Sequence, residues 1–406
     1  MKIIKAKYIL SMDEDFTLLK NMAICFDKKI IDIATHTKLQ KKYPDATLFD
    51  LKDQILMPGL INSHVHLEFS SNRAELKLGS FVSWLKSVIK SRDQLLAKCG
   101  TKCIDEALKY ILESGTTTIG AISSFGLDLN MCAISPLNVV YFNEVLGSTP
   151  SAVDIIYSDF LQRVQESKKM SSSSFIPAIS IHSAYSTHPV LAKKALELAK
   201  EEDMVVSTHF MESMSEREWM DKGEGEFKEF FESFLPNSSP MIKPLEYIEL
   251  FKDIKTLFTH CTKATESEID AIIEQNGSIT HCPRSNRYLG CGRLEIEKLP
   301  EFHLATDGLS SNNSLSLWDE MRAALMLHSQ APMQEFSKRL LKSVTLNPAI
   351  ALGLKKGAIK IGYDSDFILV DIPEGLEDED DLALSLILGT NRVNTLFING
   401  KKLNRD

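Results

Sequence analysis

Five residues close apolar runs in a way that invites chemistry: His64 and His66 in LINSHVH, His209 in MVVSTHF, His260 in TLFTHC and Asp307 in FHLATDG. In extended backbone, residues i and i+2 point to the same side, so His64 and His66 present both imidazoles together. Imidazoles joined by a carboxylate suit a Zn²⁺ or Fe²⁺ site that keeps a position for water. A lone histidine at a strand end is more often a structural residue, and an isolated His-x-His is ambiguous. The recurrence of such groups at matching ends of several runs favours a metal centre.

The elements that must position these groups form a regular series. Eight strand candidates can be read: LINSHVH, TTTIGAIS, NVVYFNEVL, FIPAISIHS, MVVSTHF, TLFTHC, GSITHC and FHLATDG. Between them, CIDEALKYILES, LAKKALELAKEE and ESEIDAIIEQ carry apolar residues near a 3.6 period and read as helices. Nearly continuous apolar strands alternating with helices imply a parallel sheet covered on both faces, and eight such units imply a (β/α)8 TIM barrel. Barrel enzymes place their chemistry at the C-terminal strand ends, which is where these five residues fall. Two doubly wound halves fit less well, because no Gly-x-Gly-x-x-Gly opens a helix.

Both chain ends have a different texture. KIIKAKYIL, NMAICFD, KKIIDIA and ATLFDL at the start, and GAIKIGYDSDFILVDI and VNTLFINGKKL at the end, read as short strands, with a helical stretch near 38–43. Each set is too small for its own core. Pairing them gives an α/β chain with a β-sandwich from residues 1–56 and 357–406 around a barrel of residues 57–356. The longest excursion, 211–247, is acidic and aromatic-rich (EFKEFFESFL), which fits an amphipathic helix on the barrel rim or a lid.

Composition excludes several classes. A net charge of −9 argues against nucleic acid and anionic membranes, so an anionic substrate would need a local Lys or Arg. The seven cysteines are irregularly spaced and lack paired C-x₂-C knuckles, which fits reduced thiols in a cytoplasm. The opening MKIIKAKYILSMDEDF is too polar for a signal peptide, and no apolar run approaches the roughly 18 residues of a membrane span. An exposed face of the barrel or sandwich leaves room for a homodimer.

The motifs together resemble a known family. MPGLINSHVHLEF looks like the signature opening of the amidohydrolase superfamily, and its nucleoside deaminase branch fits best. THFMES resembles that branch's His-x-x-Glu at strand five, HCPRSN its Pro-x-Ser-Asn at strand seven, and ATDGLSSNNSLSLWDEMR its strand-eight Asp motif. GAIKIGYDSDFILV resembles the return into the β-sandwich, so the similarity covers essentially the whole chain. His182-Ser183-Ala184-Tyr185 resembles the His-Ala-Pro-Tyr of one-metal members, with Ala184 in place of Pro.

The resemblance implies one divalent ion, Zn or Fe(II), held by His64, His66, His209 and Asp307. It implies Glu212 as proton shuttle and His260 as the group that positions the water or the developing oxygen, with Asp307 also stabilising the tetrahedral species. Strand four ends without the bridging Lys of two-metal relatives, and Glu144 reads as a substrate contact or a support behind the ligands rather than a bridge. Phe81 and Trp84 resemble the aromatic pocket segment of adenosine-type deaminases, although an amphipathic helix with a buried Trp reads equally well. Those relatives carry a ribose-binding Glu about where Asp93 stands here, a departure from a simple thioadenosine or homocysteine-nucleoside preference.

Within the branch, SPLNVVYFNEVLGS and ATDGLSSNNSLSLWDE are most similar to aminodeoxyfutalosine deaminases of menaquinone biosynthesis. Their substrate is an adenine nucleoside extended at C5′ through a ketone to a benzoate. His182 then contacts the purine or ribose, and Asn286 belongs to the substrate pocket. Arg284 and Arg287 are candidates for the carboxylate, or equally for rim salt bridges. Deamination of methylthioadenosine, S-adenosylhomocysteine or adenosine, hydrolysis of guanine or a chlorotriazine, and a catalytically silent metal-bound scaffold are the competing readings.

Overall fold

The computed structural model describes residues 1–406 except 72–75, 236–237, 394 and 405–406, and leaves out the side chains of residues 52, 53, 99 and 404. Sixteen strands are present among the described residues. The N-terminal ones are β1 (Lys2–Leu10), β2 (Leu18–Lys20), β3 (Ala23–Phe26), β4 (Ile30–Ala34) and β5 (Thr47–Pro58). The central ones are β6 (Leu60–His66), β7 (Thr116–Ser123), β8 (Asn138–Val145), β9 (Phe175–Ser183), β10 (Val206–Phe210), β11 (Thr256–His260), β12 (Ser278–His281) and β13 (His303–Leu304). The C-terminal ones are β14 (Phe367–Asp371), β15 (Thr395–Ile398) and β16 (Lys401–Asn404).

Strands β6 to β13 are the eight runs read from the sequence, and they lie side by side in chain order. Every ladder between them is parallel. Every residue of β7, β8, β10 and β11 is buried, as expected for a sheet covered on both faces. The last strand meets the first through the Asp307 N–H, which donates to the His64 carbonyl at 3.1 Å, and through an Asn62–Thr306 side-chain bond of 2.7 Å. The result is a nearly closed (β/α) barrel.

The covering helices follow from their sequences. In Pro189–Glu201 the proline sits in the first turn, and Leu191, Ala192, Ala195, Leu196 and Ala199 form the buried stripe. Glu266–Glu274 starts with a capping box in which Thr265 and Glu268 satisfy each other's backbone N–H groups. The long Phe81–Glu113 segment is two helices merged across a kink at Gly100, whose φ of 50° costs a residue without Cβ little.

The terminal strands form one mixed sheet, in the order β16-β15-β14-β5-β1-β3-β4, with β2 paired to β1. The helix read near 38–43 is His36–Lys42, packed beside it. Phe26, Phe367 and Phe397, from opposite ends of the chain, pack edge-on at 5.3 and 5.5 Å in its core. Burying each ring contributes about 1.5–3 kcal/mol, which neither terminal segment could obtain alone. Asp366 ties sheet to barrel, accepting hydrogen bonds from Asn138 at 3.0 Å and Lys356 at 2.6 Å.

Among the described residues no helix is long and apolar enough to cross a membrane. Cys25, Cys132, Cys261, Cys282 and Cys291 are free and buried, whereas Cys103 is disulfide-bonded, a departure from the reading of uniformly reduced thiols.

Candidate active site

The C-terminal ends of the barrel strands bring the singled-out residues together. The β6–β7 ladder slips between Asn62 and Val65, and the β9–β10 ladder slips at Thr208/His209. Such irregularities re-aim side chains locally, and here they flank His64 and His209. At the next strand ends the backbone turns left-handed on non-glycine residues: Met211 (φ 47°), His260 (75°), Cys261 (51°) and Asp307 (58°). Each such residue costs of order 1–3 kcal/mol, and this strain is concentrated where the polar groups converge. Gly308 completes the turn; a Cβ there would come within 2.9 Å of the His66 backbone oxygen and Cβ.

His66 Nε2 lies 3.3 Å from His209 Nε2, and Asp307 Oδ1 lies 3.7 Å from His66 Nε2 and 3.8 Å from His64 Nε2. His209 Nδ1 donates to the His182 carbonyl at 2.8 Å, which leaves its Nε2 lone pair facing the cluster. His64 Nε2 is buried and has no hydrogen-bond partner. Burial holds His64 and His209 well below the ordinary imidazole range, with neighbouring histidines adding to the effect, so both are neutral ligand-type rings. Two nitrogens bound to one ion at about 2.0–2.1 Å in tetrahedral geometry would be about 3.3 Å apart. The donor set therefore fits a divalent cation, for which the orphaned His64 nitrogen is otherwise unexplained.

Asp307 is fixed from behind. Its Oδ2 accepts from Ser285 (2.8 Å) and Ser311 (2.7 Å), and its Oδ1 accepts from the Gly308 N–H (2.8 Å). Burial pulls its pKa upward, but His66, His260 and the two serine hydroxyls outweigh that and hold it below the usual range. Glu212 behaves oppositely. Burial first, then the charges of Asp307 and Glu216, pushes its carboxyl well above the ordinary value, and its Oε2 lies 3.6 Å from His260 Nε2. Glu216 reaches back to accept from the Met211 and Glu212 N–H groups at 3.1 and 2.7 Å, and this pins the turn that carries Glu212.

Ser285, Ser311 and Glu216 were missed as site residues by reading the sequence. The signal for Glu216 was present: Ser213-Met214-Ser215-Glu216 has helix-start spacing, and Ser213 does cap Met214–Lys222.

A cavity of about 310 Å³ opens from this cluster. Phe81, Trp84, Glu144, His182, His209, Glu212, His260 and Asp307 all line it, so the aromatic and carboxylate contacts expected there face one space. Trp84 Nε1 donates to the Ser310 carbonyl at 2.9 Å, and His182 Nδ1 pairs with Ser186 Oγ at 2.6 Å. Glu144 is sealed at 1% exposure, accepts from Ser124 Oγ at 2.5 Å and lies 4.0 Å from His209 Nδ1. The 211–247 excursion supplies Phe230, Phe231 and Phe234 to the cavity wall; residues 236 and 237 lie outside the described ones.

Three expectations need correction. Asn286 does not face the cavity. It is fully buried, accepts from His260 Nδ1 at 2.8 Å and pairs with His281 Nδ1 at 3.1 Å, so it orients a histidine instead of a substrate. Arg284 takes the salt-bridge alternative and not the carboxylate-binding one: it pairs with Asp319 (3.1 Å) and Glu320 (3.8 Å), and with Arg287 it lines a separate groove. The reason is helical geometry: in Pro283–Tyr288 the inward face is taken by Ser285 and Asn286, which turns Arg284 and Arg287 away.

The sequence model of the amidohydrolase family matches residues 55–403, and the chain belongs to that family. It is a metal-dependent hydrolase of the nucleoside-deaminase branch. The chain is 46% identical over 404 residues to an aminodeoxyfutalosine deaminase of Nitratiruptor sp., covering 99% of each. It is 35% identical over 413 residues to an adenosine deaminase of Helicobacter pylori, again covering 99% of each. A crystal structure of the H. pylori aminofutalosine deaminase in complex with methylthio-coformycin superposes with a TM-score of 0.94 at 34% identity, covering 99% of this chain and 100% of that one.

Proposed function

We propose that the chain hydrolytically deaminates aminodeoxyfutalosine, replacing the adenine amino group by oxygen and releasing ammonia, in the cytoplasm and as a step of menaquinone formation. The observation that carries this reading is Glu212, a sealed carboxyl with a raised pKa, standing beside His260 and the His/Asp cluster at the closed end of an aromatic cavity. The 46% identity to an aminodeoxyfutalosine deaminase across both whole chains supports the choice of nucleoside.

His64, His66, His209 and Asp307 would hold one divalent ion, Zn or Fe(II). When bound, such an ion supplies Lewis acidity that brings the pKa of a water molecule towards about 7. Glu212 would accept a proton from the attacking water and deliver it to the ring nitrogen next to the amine-bearing carbon, which makes that carbon electrophilic. Its raised pKa suits both halves of the transfer. A carbon–oxygen bond forms, the carbon–nitrogen bond breaks, and the remaining water proton leaves with the amine as ammonia.

Asn286 holds the Nδ1–H of His260, so the Nε2 side faces Glu212 and the reacting oxygen. His182, Trp84, Phe81 and Glu144 line the space where the purine and ribose would lie. Water and a small nucleoside are the only partners this reading requires.

The test is ammonia release by metal-loaded protein from aminodeoxyfutalosine, methylthioadenosine, S-adenosylhomocysteine, adenosine and guanine, with each product checked by mass. The expected result is a clear preference for aminodeoxyfutalosine. Preference for another adenosine would keep the chemistry and overturn the pathway, and silence on every nucleoside would overturn the reading.

A further inference from the structure

We infer that the outer half of the active-site cavity is a subsite for an aryl carboxylate, with the Arg92 guanidinium binding the carboxylate and Phe125 and Phe234 flanking the ring. The inference rests on the proposed nucleoside reading and adds what recognises the far end of the substrate.

Helical spacing carries the first part of the argument. Phe81, Trp84, Leu85, Val88 and Arg92 fall on one stripe of the Phe81–Glu113 helix, and all of them line the cavity. Trp84 fixes the inner end, because its indole N–H donates to Ser310, three residues past Asp307. Arg92 is eight residues further along, about 12 Å at 1.5 Å per residue. There its guanidinium carbon stands 5.9 Å from the centre of the Phe125 ring. A substituent that meets Arg92 must therefore extend outward from the inner end of the cavity.

Charge gives the second part. The polar groups of the inner end are committed to the ion and the proton transfer, whereas Arg92 is the one Lys or Arg lining the cavity among the described residues. Arg92 Nε bonds the neighbouring Asp93 at 3.2 Å, and its two terminal nitrogens have no partner among the described residues. The Asp93 side chain is 89% exposed, so water screens that pair and leaves the guanidinium available. With a net charge of −9 the chain offers no general attraction to an anion, and recognition has to be local.

The walls give the third part. Ile89, Phe125, Leu146 and Phe234 keep 51%, 38%, 39% and 57% of their surface exposed around the mouth. Large apolar side chains left uncovered beside a cavity mark a place for an apolar ligand group. Aromatic faces beneath a guanidinium whose two terminal nitrogens have no partner among the described residues suit a flat ring bearing a carboxylate.

The test compares kcat/KM for aminodeoxyfutalosine with that for 5′-methylthioadenosine, which lacks the carboxylate, in wild type, Arg92→Ala and Arg92→Lys. In Arg92→Ala the ratio should fall roughly 10- to 100-fold, mainly through KM for aminodeoxyfutalosine, with Arg92→Lys falling between. Raising the salt should erode the wild-type preference and not that of Arg92→Ala. A wild type that prefers aminodeoxyfutalosine, with the ratio of Arg92→Ala within about twofold of it, overturns the subsite alone. A wild type that turns over methylthioadenosine but not aminodeoxyfutalosine overturns the substrate reading and the subsite with it.

Discussion

At the inner end of the cavity, polar side chains sit on strand ends or the turns directly after them, and solvent hardly reaches them: His64, His260 and Glu212 are 0%, 1% and 6% exposed. At the outer end, Ile89 and Arg92 ride on a helix, Phe125 on a loop and Phe234 on the 211–247 excursion, and Ile89, Phe125 and Phe234 are 38–57% exposed. Proton transfer and ion binding need fixed distances and a dry environment, which a barrel's strand ends provide. Recognition of a long substituent needs matching shape and one charge, which helices and loops can supply without disturbing the chemistry. Changes at the inner end should therefore strike every substrate alike, and changes at the outer end should discriminate among substrates.

Chelation gives the largest expected effect. Protein stripped of metal should lose essentially all turnover on every nucleoside and regain it with Zn²⁺ or Fe²⁺; full activity in a verified metal-free sample would remove the cluster from the mechanism. Glu212→Gln should lower kcat by about 10³- to 10⁴-fold on all substrates, with metal content by elemental analysis unchanged. A loss confined to one substrate would move Glu212 to the outer group.

Asn286→Ala, a change never in contact with substrate, should cost about 1–3 kcal/mol, or roughly 10- to 100-fold in kcat, and displace the pH profile because His260 loses its orienting acceptor. An unchanged profile would make Asn286 merely structural.

Beneath the inner end, His303 shares its Nδ1 with Ser63 and Thr280 at 3.1 and 2.9 Å, and burial lowers its pKa to about 3. Between pH 6.5 and about 3 it is neutral when folded and protonated when unfolded, so the unfolded chain binds more protons and stability falls as pH drops. The expected loss from this group is about 1.4 kcal/mol per pH unit, read from urea midpoints, and a midpoint flat from pH 7 to 5 would contradict it.

The smallest effect belongs to the outer wall. Phe234→Ala should lower kcat/KM for aminodeoxyfutalosine by several-fold, about 1 kcal/mol, and leave methylthioadenosine within twofold. Equal losses on both would erase the distinction between the two ends.

The barrel was legible because its strands are continuous apolar runs that end in polar residues, a pattern local in sequence. His64 and His66 could be paired because a strand repeats every two residues. Glu216 and Ser285 escaped because each acts through a neighbour, Glu216 on the backbone of 211–212 and Ser285 on Asp307, a contact 22 residues distant. Arg284, Arg287 and Asn286 were misplaced for a related reason: composition marks a residue as polar, but the short Pro283–Tyr288 helix decides which way it points.

The sequence by itself determined the element order, the family, the donor types and their placement at strand ends, since periodicity and motif spacing are properties of the chain alone. Tertiary structure alone decided the 3.3–3.8 Å gathering of His66, His209, His64 and Asp307, the raised pKa of Glu212 and the turning of Arg92 towards the cavity. Distance, burial and side-chain direction between remote segments depend on how the strands close and how the helices pack over them, and no local pattern encodes these.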